Sequence, residues 1–394
     1  MKGLLEERNR MSESNRRRIL ILCGGTIYYG AEQIAVTMMR ACLENGWEVE
    51  CISNAWTDGR FPAAVARLGV PITKLHMGWI YISQWWWTIH SFLRWPGALL
   101  QFRRFQHRFQ PDVIICFGYR PVFVFWPFLR TPLVVSLHEA VDPTARRFDL
   151  LPRCAAKAAR FWACSSFLRS DLVAAGLPPE QVHSVLNATD SAVVPSRDRG
   201  AVREPIQFGV VGRLSEGKGQ RIFLQAISLM SEAERRRGVY VLYGAGEAET
   251  VAELRRLADT LGVAESVRFA GYVGDQEAIY SEMDVLVMPV LAPEAFGLVV
   301  IEAGLRGIPV IASDLGGLPE IIEAGAGGLL VPPGQSQALR DAMCEMMEDT
   351  IRLREMGKRH EKRCRGLFSL ERLAADLNRE VDELMRSTAG KAGR

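Results

Sequence analysis

A chain of 394 residues with 48% hydrophobic and 24% charged residues is long enough for two domains that each bury a core, and its balance excludes a disordered polymer. The formal net charge of +3 averages two unlike halves: residues 1–200 hold 24 Lys+Arg against 16 Asp+Glu, a balance of +8, and residues 201–394 hold 24 against 29, a balance of −5. All nine tryptophans (Trp47, Trp56, Trp79, Trp85, Trp86, Trp87, Trp95, Trp126 and Trp162) lie in the first half, so composition changes near the middle, as at a domain boundary.

Residues 1–17 mix charges without an apolar run; they read as a disordered N-terminal extension and not as a secretory signal. After Arg18 the run ILILC predicts a buried strand, stopped at Gly24-Gly25 and followed by a helical stretch, AEQIAVTMMRACLENG, and a second strand, WEVECIS. This strand, helix, strand order recurs through DVIICFG (112–118), LVVSLH (133–138) and ARFWACS (159–165), giving one doubly wound sheet over residues 18–195. The most apolar stretch, Pro121 to Leu137, is interrupted by Pro127, Arg130 and Pro132, which breaks any transmembrane span. Residues rich in Pro, Ser and charge, NATDSAVVPSRDRGAVREP, read as a linker. The same grammar restarts in IQFGVVG, YVLYGAG, SVRFAGYV, DVLVMPV and PVIAS, predicting a second Rossmann-like domain over 196–366, with a charged C-terminal helix and tail over 367–394. Open parallel sheets bind ligands at the carboxyl ends of their strands, so two such domains are expected to face one another across a cleft.

The eight cysteines form no C-x-x-C pair, which argues against zinc ribbons and redox motifs. Buried free thiols at Cys23 and Cys116 suit a reducing cytoplasm.

The sharpest local signal is GRLSEGKGQ, Gly212 to Gln220, directly after a predicted strand. It begins like a nucleoside-triphosphate phosphate loop, but Gly219 stands where a magnesium-holding Ser or Thr is required. What remains is a glycine-rich strand-to-helix turn offering two cations, Arg213 and Lys218, suited to a phosphate or diphosphate; the plain alternative is two surface cations beside an ordinary turn. Further on, Glu294 precedes Phe296-Gly297, where a helix is expected to begin, and Glu302 lies about two turns on, roughly 9–12 Å away. Two carboxylates so spaced can hold different hydroxyl-bearing parts of one extended ligand. Glu302, within LVVIEAG, has almost no polar neighbour in sequence, and an unpaired buried carboxylate is costly.

Gly212-Arg213-Leu214 with Lys218-Gly219, the Glu294-x7-Glu302 pair, Gly316-Gly317-x-Pro319-Glu320 and Tyr29-Gly30-Ala31-Glu32 together resemble the retaining nucleotide-sugar glycosyltransferases of the GT-B type, family 4, from about Arg18 to Gly334. The match is specific in the second domain and looser in the first. The resemblance implies that Arg213, Lys218 and the backbone at Gly30 bind the donor diphosphate, that Glu302 holds the ribose, and that Glu294 and the amides around Phe296, Gly297 and Leu298 hold the transferred sugar. It also implies that Glu294 and His138 are catalytic, with His138, at the end of VVSLH, beside the reacting sugar, although a core histidine at a strand end is the plain reading of that residue. Retention is the family's expectation. The sequence has no D-x-D pair to hold a metal, so the charge on a departing diphosphate falls to Arg213 and Lys218; no cofactor and no essential metal are expected. Two positions depart from the family pattern: Tyr29 stands where a glycine is usual, and Asn187-Ala188-Thr189-Asp190 replaces Asn-Gly-Val-Asp.

From Gly59 to Pro111 there is no acidic residue against seven basic ones, Arg60, Arg67, Lys74, Arg94, Arg103, Arg104 and Arg108. Pro96 suits a helix start, and Leu99, Phe102, Phe105 and Phe109 follow helical spacing. That stripe reads first as a face packed on the sheet, and second as a basic amphipathic helix on an anionic membrane. Trp85, Trp86 and Trp87 point about 100° apart on a helix, so at least one must be exposed; with Arg103 and Arg104 they are candidates for acceptor or membrane contact. The expected partners are a nucleotide-sugar donor, a saccharide or lipid-linked acceptor at the inner face of the plasma membrane, and no nucleic acid. An epimerase or phosphorylase of the same fold, and a non-enzymatic membrane-surface module, are the alternatives.

Overall fold

The computed structural model describes residues 16–77, 85–141, 151–189 and 204–392. The expected N-terminal extension, apart from Arg16 and Arg17, lies outside them, as does most of the linker. Two compact units emerge: Met1–Ala188 with Leu370–Arg394, and Thr189–Ser369.

In the first unit seven strands form one sheet in the order β3-β2-β1-β4-β5-β6-β7. These are β1 Arg18–Cys23, β2 Glu48–Asn54, β3 Ile72–Leu75, β4 Val113–Phe117, β5 Leu133–Leu137, β6 Arg160–Ala163 and β7 Val182–Ser184. In the second, β8 Ile206–Val211, β9 Gly238–Tyr243, β10 Val267–Gly271, β11 Val285–Met288, β12 Val310–Ser313 and β13 Gly328–Val331 form a sheet in the order β10-β9-β8-β11-β12-β13. Every pairing is parallel. Parallel strands carry helices on both faces, so the central ones must be apolar throughout. Ile19 to Leu22 and Val113 to Cys116 are fully buried. The strand order reverses between β1 and β4 and again between β8 and β11. Loops leaving these strands open at the switch points, where side chains can converge on a ligand without breaking the sheet.

The predicted junction near residue 195 is corrected to 188/189, and residues 370–394 return to the first unit instead of forming a tail behind the second. The Leu370–Ala392 helix buries Leu373, Leu377, Val381 and Leu384, spaced four, four and three apart, a helix face. Arg160 Nη1 donates to Glu380 Oε2 at 2.7 Å with both side chains nearly buried, and Asn45 Nδ2 donates to Ala374 O at 2.7 Å. Arg372 Nη2 donates to the carbonyls of Leu186 and Asn187, 2.8 Å each. An apolar stripe announces a packed helix but not which unit it packs on.

Pro96 does not start a helix. It lies inside a continuous helix, Trp85–Phe109, held on both sides of the proline by burial of Ser91, Ala98, Phe102, Phe105 and Phe109. The Phe102 ring stacks on Phe125 at 4.2 Å and Trp95 Nε1 donates to Val124 O at 2.9 Å, so packing outweighs the lost backbone bond. The packed reading of the Phe102, Phe105 and Phe109 stripe is correct. Cys23 and Cys116 are buried free thiols, as expected.

His360, fully buried, lies 3.0 Å through Nδ1 from Ile308 O, and burial lowers its pKa from 6.5 to about 4. A folded value below the unfolded one means that the fold resists protonation: the contribution is complete above pH 6.5 and is lost as pH falls toward 4. The destabilisation caused by His360→Gln, measured by urea unfolding, should therefore shrink by about 3 kcal/mol across that window.

Candidate active site

In the second unit the loop after β8 reaches the Gln220–Ser228 helix through a turn at Glu216–Lys218. Gly219 has φ +71°, and a Cβ there would lie 1.7 Å from the Pro289 carbonyl, so only glycine allows this loop to close against the end of β11. The Gln220 side chain is 1% exposed. Its Nε2 donates to Arg213 O at 2.9 Å and its Oε1 accepts from Ser215 N at 3.3 Å, which fixes the loop from beneath. The Leu291 amide donates to Gly217 O at 2.9 Å, joining this loop to the one after β11.

Along that second loop, Glu294 O accepts from Gly317 N at 2.7 Å. A Cβ on Gly316, φ +67°, would lie 2.4 Å from the same oxygen. The two glycines of the GGxPE motif thus seat the Glu294 backbone. Its carboxylate meets Lys218, Nζ to Oε2 2.5 Å, with about a third of the lysine and a quarter of the glutamate side chain exposed. Arg213 is exposed. The structure therefore brings together Lys218, Glu294 and Gly316-Gly317, four positions from three separate motifs. Phe296 is buried, its ring edge-on to Phe368 at 5.5 Å, and Gly297 caps the short Leu298–Gly304 helix with φ +108°. The Phe296 ring is thereby committed to the core, and what Phe296 offers a ligand is its backbone.

Glu302, on that helix, is not without partners: its carboxylate accepts from Gln276 Nε2 at 3.0 Å and from Tyr280 Oη at 2.8 Å. Both come from the Gln276–Tyr280 helix, and proximity along the sequence could not show them. Burial raises the Glu302 pKa, partly opposed by Tyr280 and Arg306. Arg306 lies over the Tyr280 ring at 4.7 Å and pairs with Glu277 at 2.6 Å, so Glu302 stands in a structured polar network.

In the first unit Gly30 opens the Gly30–Glu44 helix behind Tyr29, whose ring is 58% exposed. Glu32 is buried and accepts from Tyr29 N at 3.0 Å, while Asp58 Oδ2 accepts from Tyr28 N at 3.2 Å. These acids hold the turn; the position of Asp58, after β2, gave no sequence signal for that task. Burial pushes the Glu32 carboxyl up, despite its backbone bonds. His138 follows β5 directly and is half-buried. Its ring stacks on Phe117 at 5.2 Å with 6° between planes, and Nε2 lies 2.9 Å from Ser136 Oγ. Burial lowers its pKa to about 4, so the imidazole is neutral near pH 7.

On the Trp85–Phe109 helix, Trp86 is 68% exposed, as the triplet requires of at least one member; the side chains of Trp85 and Trp87 lie outside the described residues. Trp86, Ile89, Leu93 and Leu100 are all exposed and repeat at three, four and seven residues, one stripe. Arg103 and Arg104, also exposed, continue it. Among the described residues, no helix is long and apolar enough to cross a membrane. One group of potential metal-binding side chains occurs there, His183 with Glu380 and Glu383, and Arg160 pairs with both carboxylates.

Two family models match the chain: Glycosyltransferase Family 4 over residues 28–193 and Glycosyl transferases group 1 over residues 205–349. Among curated relatives, D-inositol 3-phosphate glycosyltransferase of Corynebacterium urealyticum is 35% identical over 46% of this chain and 42% of its own. The lipopolysaccharide core biosynthesis glycosyltransferase LpsE of Rhizobium meliloti is 29% identical over 48% of this chain and 55% of its own. The chain thus spans about half the length of these relatives. The crystal structure of Anabaena HepE in complex with UDP aligns with TM-score 0.79 and 22% identity, over 93% of this chain and all of HepE. HepE with UDP-glucose aligns with TM-score 0.76 and 23% identity, over 94% and 99%. The chain belongs to glycosyltransferase family 4, built from two parallel-sheet Rossmann-like domains of the GT-B fold.

Proposed function

We propose that the chain transfers a sugar from a nucleotide diphosphate sugar to a cell-envelope, lipid-linked or exopolysaccharide acceptor, with retention and without an essential metal. The observation that carries this reading is the Lys218–Glu294 pair, 2.5 Å apart, held by two glycine-dependent loops at the carboxyl ends of adjacent strands. A cation for a diphosphate and a carboxylate for sugar hydroxyls are the two charges that such a donor needs at one place. The UDP and UDP-glucose complexes of HepE support the donor class, and the lipopolysaccharide core relative supports a cell-envelope acceptor.

Lys218 and Arg213 offset the negative charge that builds on the leaving diphosphate as the glycosidic bond breaks. Glu302 takes the ribose, with Tyr280 and Gln276 fixing its carboxylate. Glu294 and the backbone of Phe296, Gly297 and Leu298 orient the sugar. On the first unit, the backbone at Gly30 contacts the diphosphate. His138, neutral at working pH, serves as a hydrogen-bonding partner of the reacting sugar. A thermal-shift series with UDP, GDP, ADP and their sugars tests the donor site: one diphosphate should raise the melting temperature, in EDTA as well as in buffer. No stabilisation by any of them would defeat the reading. Transfer to an added acceptor, as against isomerised donor or released sugar phosphate, separates transferase from epimerase and phosphorylase.

The exposed stripe from Trp86 to Leu100, continued by Arg103 and Arg104, supports contact with an anionic membrane surface, since the apolar side chains insert while the guanidinium groups meet headgroups. Trp86→Ser should reduce flotation with anionic vesicles several-fold and leave donor binding unchanged. Equal flotation of wild type and variant would exclude that contact.

A further inference from the structure

Beside the end of β3, a cavity of about 230 Å³ is lined by Lys74 and His76 from that strand's end and by Leu93, Arg94, Gly97 and Gln101 from the Trp85–Phe109 helix. Its charges are one-sided. Arg94 Nη1 lies 2.8 Å from His76 Nε2; a guanidinium only donates, so Nε2 accepts and the imidazole is neutral with its proton on Nδ1. Neither Lys74 nor Arg94 pairs with a carboxylate among the described residues, and the chain has no Asp or Glu from Gly59 to Pro111. Two cations without a carboxylate partner on one concave surface favour an anion there. Gly97, without a side chain, opens the helix side of the cavity, and Gln101 adds an amide donor one turn further on.

We propose that this cavity binds a phosphate monoester, with Lys74 and Arg94 supplying charge and Gln101 an amide N–H. A carboxylate has two oxygens and is satisfied by one guanidinium; a phosphate has three terminal oxygens and suits donors arriving from a strand end and from two turns of a helix. The cavity is several times the ~30 Å³ share of one water, so it holds part of the group that the phosphate esterifies. Leu93, 75% exposed, gives the rim an apolar side. The phosphate is carried either by a soluble ester or by a lipid headgroup. Binding rests on the first unit alone; only its assignment to the acceptor rests on the transferase reading.

The test uses the full chain with Arg213→Ala and Lys218→Ala, so that the proposed donor site does not take up the probe. Calorimetry with glycerol 3-phosphate reads the soluble source, and co-sedimentation with phosphatidylcholine vesicles doped with phosphatidic acid reads the lipid source. Adding Lys74→Gln and Arg94→Gln should weaken whichever binding is seen by about tenfold or more. The equally charge-reducing pair Lys358→Gln and Arg359→Gln, at exposed positions of another unit, should leave it unchanged. Both altered cations are exposed, and circular dichroism checks that the fold persists. Binding in neither arm, or binding that the Lys74 and Arg94 substitutions leave unaltered, overturns the proposal. If these hold while the diphosphate series fails, the anion site stands and the transferase reading falls.

Discussion

Lys218→Ala should weaken binding of the preferred nucleoside diphosphate by about a hundredfold. A charge-assisted hydrogen bond contributes roughly 1.5–3 kcal/mol, and each 1.4 kcal/mol is about a factor of ten in affinity. The loss is also larger than a missing contact alone would give. Lys218 is the partner of Glu294 at 2.5 Å, so alanine leaves that carboxylate facing the incoming diphosphate without a cation between them, adding repulsion to the lost attraction. Arg213→Ala should act in the same direction. Calorimetry decides the matter: affinity equal to wild type for Lys218→Ala would remove the diphosphate from this turn. The fold should survive, because Lys218 is partly exposed on a three-residue turn and the loop is anchored separately by the buried Gln220.

How far this was legible from sequence depended on whether a residue's surroundings are local. The central strands β1, β4, β8 and β11 are covered on both faces, so their apolar runs stand out without further knowledge. The strands β3, β7 and β13 escaped notice because each lies at a sheet edge, is three or four residues long and is only partly buried. Motif order placed Lys218 and Glu294 in one domain, but not in contact: their pairing depends on the hydrogen bonds Gly317 N to Glu294 O and Leu291 N to Gly217 O, which cross loops 23 and 74 residues apart in sequence. Glu302 shows the converse. Its neighbours in sequence are apolar, which suggested an unpartnered carboxylate, and its partners Gln276 and Tyr280 come from a different helix. Pro96 was misread because local propensity favours a helix start at proline, whereas buried side chains on both sides carry the helix through.

Glu294→Gln should separate binding from transfer. Glutamine keeps the shape and one oxygen acceptor but loses the charge, so Lys218 is released from its ion pair and is free to meet the diphosphate. Affinity for the nucleoside diphosphate alone should therefore hold or rise. Transfer should fall by roughly 10²–10³, the scale seen when one preorganised electrostatic group is removed from a reacting centre. That opposite movement of the two readouts is diagnostic, because a general structural defect would lower both. The seat of Glu294 makes the experiment clean: its backbone is held by Gly317 N at 2.7 Å and does not depend on the carboxylate. The Lys218→Ala, Glu294→Gln double variant then measures how the charges cooperate. Because the carboxylate repels the diphosphate once Lys218 is gone, the double variant should recover part of the affinity that Lys218→Ala loses, and a double variant that binds no better than Lys218→Ala would show that this repulsion is absent. Transfer should stay low, because the sugar has lost its anchoring charge.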